Sequence, residues 1–185
     1  MDKISAGDVL QFFDTSHWFS KIIQWYNILY FGHRGPVHSA VIHTADRHKV
    51  IYTEAVADGV RNVTVPRDEF IQMINSDLYA LMGPEKQIRK FRVQPSILLD
   101  SMNHTPYGFL QLLGIGTRFL FGWVPRIVKW FLGNKMMICS EVVVYFWWFN
   151  TGGKINLEEE YDLPRDFVTP MHIWLSKHFR VKKIE

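Results

Sequence analysis

Hydrophobic and polar residues follow two different periods along the chain, and the change between these periods predicts the elements. From residue 16 to about 30, apolar side chains recur at helical spacing, which predicts a helix. Strands are predicted where β-branched and aromatic residues cluster between turn residues, at 9–13, 37–44, 49–56, 59–65 and 87–93. The short turns at 45–47 and 57–59 favour antiparallel hairpins between neighbouring strands.

The second half of the chain is predicted to be mostly helical. Apolar spacing and helix-start residues predict helices that begin at Pro66 and that cover 95–103, 107–132, 139–150 and 170–179. A last strand is predicted over 180–184, and the acidic run 157–162 is predicted to be a solvated loop. This order of elements predicts one α+β domain over residues 1–185, with an antiparallel meander in its first half.

Charge and cysteine content narrow the classes of partner and compartment. The 185 residues carry a formal charge of +3 without a basic stripe, which argues against nucleic acid as a partner. The one cysteine excludes an internal disulfide, as is usual in the cytosol. No apolar run follows Lys3, and charges interrupt the apolar region 107–149, so neither a signal peptide nor a transmembrane helix is expected. We therefore expect a cytoplasmic location.

Cys139 is the first candidate for chemistry. It lies where a loop leads into the strongly apolar helix predicted over 139–150. The positive end of a helix dipole and the free N–H groups of a first turn stabilise a thiolate, which is the nucleophilic form of cysteine. The alternative is a buried structural cysteine, because free cysteines are among the most buried residue types.

His38 and Glu54 are the second candidate. If the first hairpin is centred on Asp46, His38 and Glu54 are directly opposed on one face of the sheet. Directly opposed residues have Cβ atoms about 4.5–5.5 Å apart, which lets a carboxylate hold an imidazole nitrogen. Such a pair supplies the base, and the residue that orients the base, for a nucleophile. The alternative is an ordinary cross-strand pair on the surface.

Two further patterns have weaker implications. His33, His38, His43 and His48 recur every five residues, but this step points successive side chains to opposite faces of a strand, so no metal site is expected. The segment 119–132, around Trp123, mixes Trp and Phe with Arg126 and Lys129, as helices at a membrane surface do. A core helix or a self-association face would explain the same composition.

The order of these motifs resembles the permuted branch of the NlpC-type peptidase superfamily, which includes YiiX-like and lecithin–retinol acyltransferase-like proteins. The matching pieces are the Gly-Asp strand at 7–10, the His38 strand at 37–42, the Glu54 strand at 50–55 and the Cys-Ser-Glu helix start at 139–142. Val37 and Ala40 depart from the family's usual Ser and Gly. The resemblance implies a circularly permuted papain-like fold, in which an antiparallel sheet packs against the nucleophile-bearing helix.

The same resemblance implies a cysteine hydrolase that cleaves an amide bond without cofactor or metal. Cys139 would be the nucleophile, His38 the base and Glu54 the orienting residue, and Tyr107 would support the site. The expected substrate is a peptide, such as a cell-wall peptide, or another compound with an acyl group. A lipid-directed acyltransferase or lipase at a membrane surface is the alternative enzyme, with peripheral membrane association, and an inactive binding or structural module is the alternative of another class. The sequence leaves the oligomeric state open.

Overall fold

A computed structural model describes residues 3–86, 90–108 and 137–184. Within these ranges, six antiparallel strands form one sheet in the order β4-β3-β2-β1-β5-β6. The strands are β1 Val9–Phe12, β2 His38–Ala45, β3 Lys49–Val56, β4 Gly59–Pro66, β5 Tyr79–Pro84 and β6 Phe179–Val181. The helices are α1 Trp18–Phe31, α2 Arg67–Ile74, α3 Pro95–Met102, α4 Cys139–Thr151, α5 Leu157–Tyr161 and α6 Pro170–Leu175, with a 3-10 turn at Arg165–Phe167. The predicted α+β class is confirmed.

The sheet is buried on both of its faces. Neighbouring residues of one strand, such as Val9 and Leu10, belong to two different hydrophobic clusters, because side chains alternate across a strand. The first cluster contains Val9 and side chains of α3 and α4, and the second contains Leu10 and Phe70 of α2. Helix α4 packs on β2 and β3, which brings the start of that helix to the strand that begins at His38.

The register of β2 against β3 differs from the prediction. The side chain of Asp46 accepts hydrogen bonds from the backbone N–H groups of His48 and Lys49, and the hairpin closes with Ala45 opposite Val50. His43 is then an extra residue, a β-bulge between two regular stretches of pairing. Beyond the bulge Glu54 is opposite Ala40, so the predicted direct opposition of His38 and Glu54 is wrong. The two side chains lie on the same face of the sheet, but Glu54 is opposite the residue two positions after His38 in β2.

The strand predicted over 87–93 is also wrong for residues 90–93, which have no strand structure, whereas 87–89 lie outside the described residues. On its side away from β2, β1 pairs with β5, with Val9 opposite Met82. Because β5 is covered on both faces, Leu81 and Met82 are both buried and no alternation of apolar with polar residues marks the strand.

Three predictions in the second half change. Residues 107 and 108 form a bridge and a loop rather than a helix start, and the remainder of the predicted helix, including the segment around Trp123, lies outside the described residues. The acidic run forms the short helix α5, because Asn156 caps it and Leu157 is buried. Helix α6 ends at Leu175, where the Glu160 carboxylate binds the next two residues. Among the described helices, none has the length and hydropathy needed to cross a membrane.

Candidate active site

Cys139 is the first residue of α4 and is buried, with 3% of its surface exposed. The helix forms here because a run of apolar residues packs onto the sheet, and it ends at Gly152, which has a left-handed φ of 67°. The backbone N–H groups of Ser39 and Ser140 donate hydrogen bonds to the sulfur. The sulfur therefore has polar as well as apolar neighbours.

His38 lies between the sulfur and a carboxylate. Its Nε2 is 3.0 Å from Glu54 Oε2, and its ring also hydrogen-bonds with the Cys139 sulfur. Because Nε2 faces Glu54, Nδ1 is the nitrogen left to face the thiol. The ring of Phe12 contacts the imidazole edge-on at 4.8 Å and restricts its rotation. The imidazole is therefore held in one orientation from three sides.

Glu54 is fixed by a residue that the sequence analysis missed. Arg61, directly opposite on β4, donates two hydrogen bonds to Oε1 of Glu54, at 2.8 and 3.0 Å, which leaves Oε2 for His38. Burial acts to raise the pKa of the Glu54 carboxyl, but hydrogen bonds and charges from His38 and Arg61 outweigh burial and lower this pKa. Glu54 is therefore ionised. An Arg seven residues after a candidate acid, across a tight hairpin, is the signal that could have revealed Arg61.

The charges of Cys139 and His38 stabilise each other. Burial would raise the pKa of the Cys139 thiol, but the His38 charge, the His38 hydrogen bond and the two backbone N–H groups lower it. Burial would lower the pKa of His38, whereas the neighbouring Cys139 and Glu54 raise it. The direction of both shifts favours a thiolate–imidazolium ion pair. A thiolate of this kind can attack a carbonyl carbon.

Tyr107 is placed beside the residues that lead into Cys139. Its backbone forms a parallel bridge with Met137, two residues before the cysteine. The loop that carries Tyr107 is anchored at Gly59, whose backbone passes so close to the carbonyl oxygen of Thr105 that a Cβ would lie 2.8 Å from that oxygen. Burial, then the charges of Cys139 and Glu141, raise the pKa of the Tyr107 phenol, which keeps it protonated. It is therefore a neutral hydroxyl near the thiol.

Glu141 lies in the same first turn of α4 as Cys139. Its Oε2 accepts the backbone N–H of Ile138 at 2.7 Å, and its side chain hydrogen-bonds with Asp166. Burial and this hydrogen bond raise the pKa of the Glu141 carboxyl to about 9. Below that pKa, Glu141 is protonated, donates to Asp166 and places no negative charge beside the thiolate. Helix dipoles favour ionised acids at this position, so burial outweighs the dipole here.

A second polar group in β1 and β2 lies under α4. Gln11, opposite Ser39 in the register, is fully buried and accepts a hydrogen bond of 2.7 Å from the Ser39 hydroxyl. Its Nε2 has no partner among the described residues. One polar residue in the otherwise apolar strand Val-Leu-Gln-Phe was a signal that the sequence analysis did not use.

Comparisons of the chain with protein-family models, with curated proteins and with solved structures found no match. Within the described ranges, no three His, Cys, Asp or Glu side chains are grouped so that they could hold a metal ion. The geometry of Cys139, His38 and Glu54 is thus the observation from which a function can be argued.

Proposed function

We propose that this protein is a cysteine hydrolase that transfers the acyl group of an amide, first to Cys139 and then to water. The observation that carries the proposal is one half-buried imidazole bonded to a carboxylate at Nε2 and to a thiol on its other side, at the first turn of a helix. A structural cysteine needs neither an oriented histidine nor backbone donors. Nucleophilic catalysis needs both.

The chemistry follows from these contacts. His38 takes the proton of Cys139, and the thiolate attacks the carbonyl carbon to form a tetrahedral intermediate. The imidazolium then gives its proton to the leaving amine, and the C–N bond breaks to leave a thioester. Water, deprotonated by His38, attacks the thioester and releases the acid together with the thiol. Glu54 remains ionised throughout and stabilises the imidazolium.

The permuted papain-like arrangement belongs to the same proposal. In support of it, the strand that carries the histidine precedes the helix that carries the cysteine, and this helix packs on an antiparallel sheet. The motif order that resembles the NlpC-type superfamily agrees with that arrangement. A peptide amide is the first substrate class to test because the resemblance implies it.

The inactive-module alternative predicts a different thiol. In such a module Cys139 would react slowly, like an ordinary buried thiol, and His38 would not affect the reaction. The test is labelling by a thiol-reactive probe of wild type and of the His38→Ala variant, combined with turnover of a peptide-amide library by wild type and by the Cys139→Ala variant. We expect fast labelling of wild type, slow labelling of His38→Ala, and turnover only with Cys139. Equal labelling of wild type and His38→Ala would refute the proposal.

A further inference from the structure

Helix α1 exposes a row of large apolar residues to solvent and buries the polar Asn27. At about 100° per residue, Trp18, Ile22, Trp25 and Leu29 fall within an arc of roughly 60°. Asn27, which is fully buried, lies on the opposite side of the helix. This arrangement is the reverse of the usual amphipathic helix, in which the apolar stripe faces the core.

The buried side of α1 is held by polar contacts. Asn27 donates to the backbone oxygen of Pro36 at 3.0 Å, and Gln24 exchanges two hydrogen bonds with the backbone of Gly35. These bonds fix the segment that enters β2 immediately before His38. These polar bonds, together with the contact of Phe31 with His172, hold the inner side of the helix, and the apolar residues of the outer row take no part in them.

The outer side, which we call the α1 stripe, consists of Trp18, Ile22, Trp25 and Leu29. Their side chains are 51–66% exposed. Ile28 and Tyr30 of α1 are also exposed but lie off this row, whereas Leu78 and Ile97 are exposed on other elements. Single exposed apolar residues are ordinary, but a contiguous row of four over three turns marks a binding surface.

Charge indicates what this surface binds. From residue 15 to 45 the sequence contains no Asp or Glu, whereas Lys21 and Arg34 lie on and directly after the helix and are exposed. Lys21 is within about one turn of Trp18, Ile22 and Trp25. Two Trp in an apolar row, on a helix whose one Lys, Arg, Asp or Glu residue is Lys21, match the composition of helices that lie in the interface of an anionic bilayer.

We propose that α1 docks on a negatively charged lipid surface through the α1 stripe. The helix would lie parallel to the membrane, with its two Trp side chains at the level of the lipid headgroups and Lys21 against the phosphates. Since α1 is bonded to the segment before His38, docking would hold the candidate active site near the lipid. The inference does not depend on catalysis, because docking is equally expected of the Cys139→Ala variant.

The test is flotation of the full chain with vesicles of phosphatidylcholine alone and of phosphatidylcholine with about one part in three of phosphatidylserine. We expect wild type to float with the anionic vesicles and to bind the neutral ones more weakly. The triple variant Ile22→Ser, Trp25→Ser, Leu29→Ser should lose at least about tenfold in affinity. The Lys21→Glu variant should bind anionic vesicles more weakly than wild type at low salt. At high salt, where charges are screened, the two proteins should bind almost equally.

The matched control is the double variant Leu78→Ser, Ile97→Ser, which removes exposed apolar residues from other elements and should float like wild type. Failure of wild type to float, equal flotation with both vesicles, or unchanged flotation of the triple variant would each overturn the proposal. A dimer of wild type that the triple variant loses, without flotation, would assign the stripe to contact between copies. If wild type does not float and the triple variant melts at a temperature as much lower as a core substitution would cause, the stripe is covered by other residues of the same chain. Both results overturn docking on lipid.

Discussion

His38 shows how three neighbours define the behaviour of one residue. Glu54 binds its Nε2, the sulfur of Cys139 lies on its other side, and Phe12 restricts the ring. In water an imidazole is mostly neutral at pH 7 and a thiol mostly protonated. Here each charge is the main favourable influence on the other, so the two protons must be considered as those of a pair.

The pH dependence of Cys139 alkylation tests this pairing. Because His38 and the backbone N–H groups lower the pKa of the Cys139 thiol, thiolate persists as the pH falls below 7. We expect the alkylation rate of the native protein at pH 6 to be at least about a tenth of its rate at pH 8. The unfolded protein is the control, and its rate should fall by about tenfold for each pH unit below 8. A native profile that follows the unfolded one would contradict the ion pair.

Glu54→Gln tests the carboxylate. A Gln oxygen still accepts a hydrogen bond from His38, but it cannot balance the imidazolium charge. We therefore expect the acid limb of Cys139 alkylation to move to higher pH and turnover to fall, although by less than in His38→Ala. Both effects are measured from the pH profiles of alkylation and of hydrolysis.

Thr53→Ala is the matched control for Glu54→Gln. Thr53 is the neighbouring residue in β3, faces the other side of the sheet and binds Asn62. Its loss should cost about 1 kcal/mol of folding stability and leave the alkylation profile unchanged. An equal change of the alkylation profile in both variants would show that Glu54 has no special role.

At the scale of elements, the bulge at His43 places Glu54 on the same face of the sheet as His38. The turn closes with Ala45 opposite Val50, and a regular ladder from that turn would put His38 and Glu54 on opposite faces. The extra residue in β2 moves the pairing by one position and brings them to the same face. His43 is held there by a 3.0 Å contact between its Nε2 and Asp100 of α3.

Deleting His43 tests the role of the bulge as an inserted residue. The deletion leaves Ile42 and Thr44 adjacent, with their present partners Tyr52 and Ile51, so the pairing of Ala40 with Glu54 should persist. We expect a loss of roughly 1–3 kcal/mol of stability, since the contact with Asp100 disappears, and retained alkylation at pH 6. Deleting Ile51 from β3 is the control, because it moves Glu54 relative to His38 and should abolish that reactivity. Loss of reactivity in the His43 deletion would contradict this account.

At the scale of the whole molecule, the buried acid at Glu141 makes folding stability depend on pH. The carboxyl titrates near 4.5 when the chain is unfolded and near 9 in the fold. The folded state therefore binds the proton more tightly, and its stability falls as the pH rises from about 4.5 to about 9. Glutamine can keep both hydrogen bonds of the protonated acid without titrating.

We expect Glu141→Gln to melt at least about 5 °C above wild type at pH 8, and the difference to shrink towards zero near pH 4.5. The difference is measured by thermal unfolding of both proteins across this range. Glu85→Gln, which changes an exposed glutamate, is the control and should melt like wild type at every pH. A Glu141→Gln variant less stable than wild type at pH 8 would mean that Glu141 is ionised in the fold.

The sequence by itself determined most of the meander and the start of α4. The strands around His38 and Glu54 and the helix that begins at Cys139 have local patterns strong enough to be predicted: apolar clusters, turn residues and a glycine stop. The sequence also singled out Cys139 by its place at a helix start, and His38 and Glu54 by their positions on neighbouring strands, although their direct opposition was wrong.

Tertiary structure alone decided the register, the identity of β5 and the environment of each charge. A bulge has no local sequence pattern, so the register that puts His38 and Glu54 on one face could not be predicted from the hairpin turn. A strand buried on both faces loses its alternation, which hid β5. The pKa directions of Cys139, His38 and Glu141 depend on burial and on neighbours distant in sequence. Which face of α1 points inwards depends on the backbone of Gly35 and Pro36, with which Gln24 and Asn27 form hydrogen bonds.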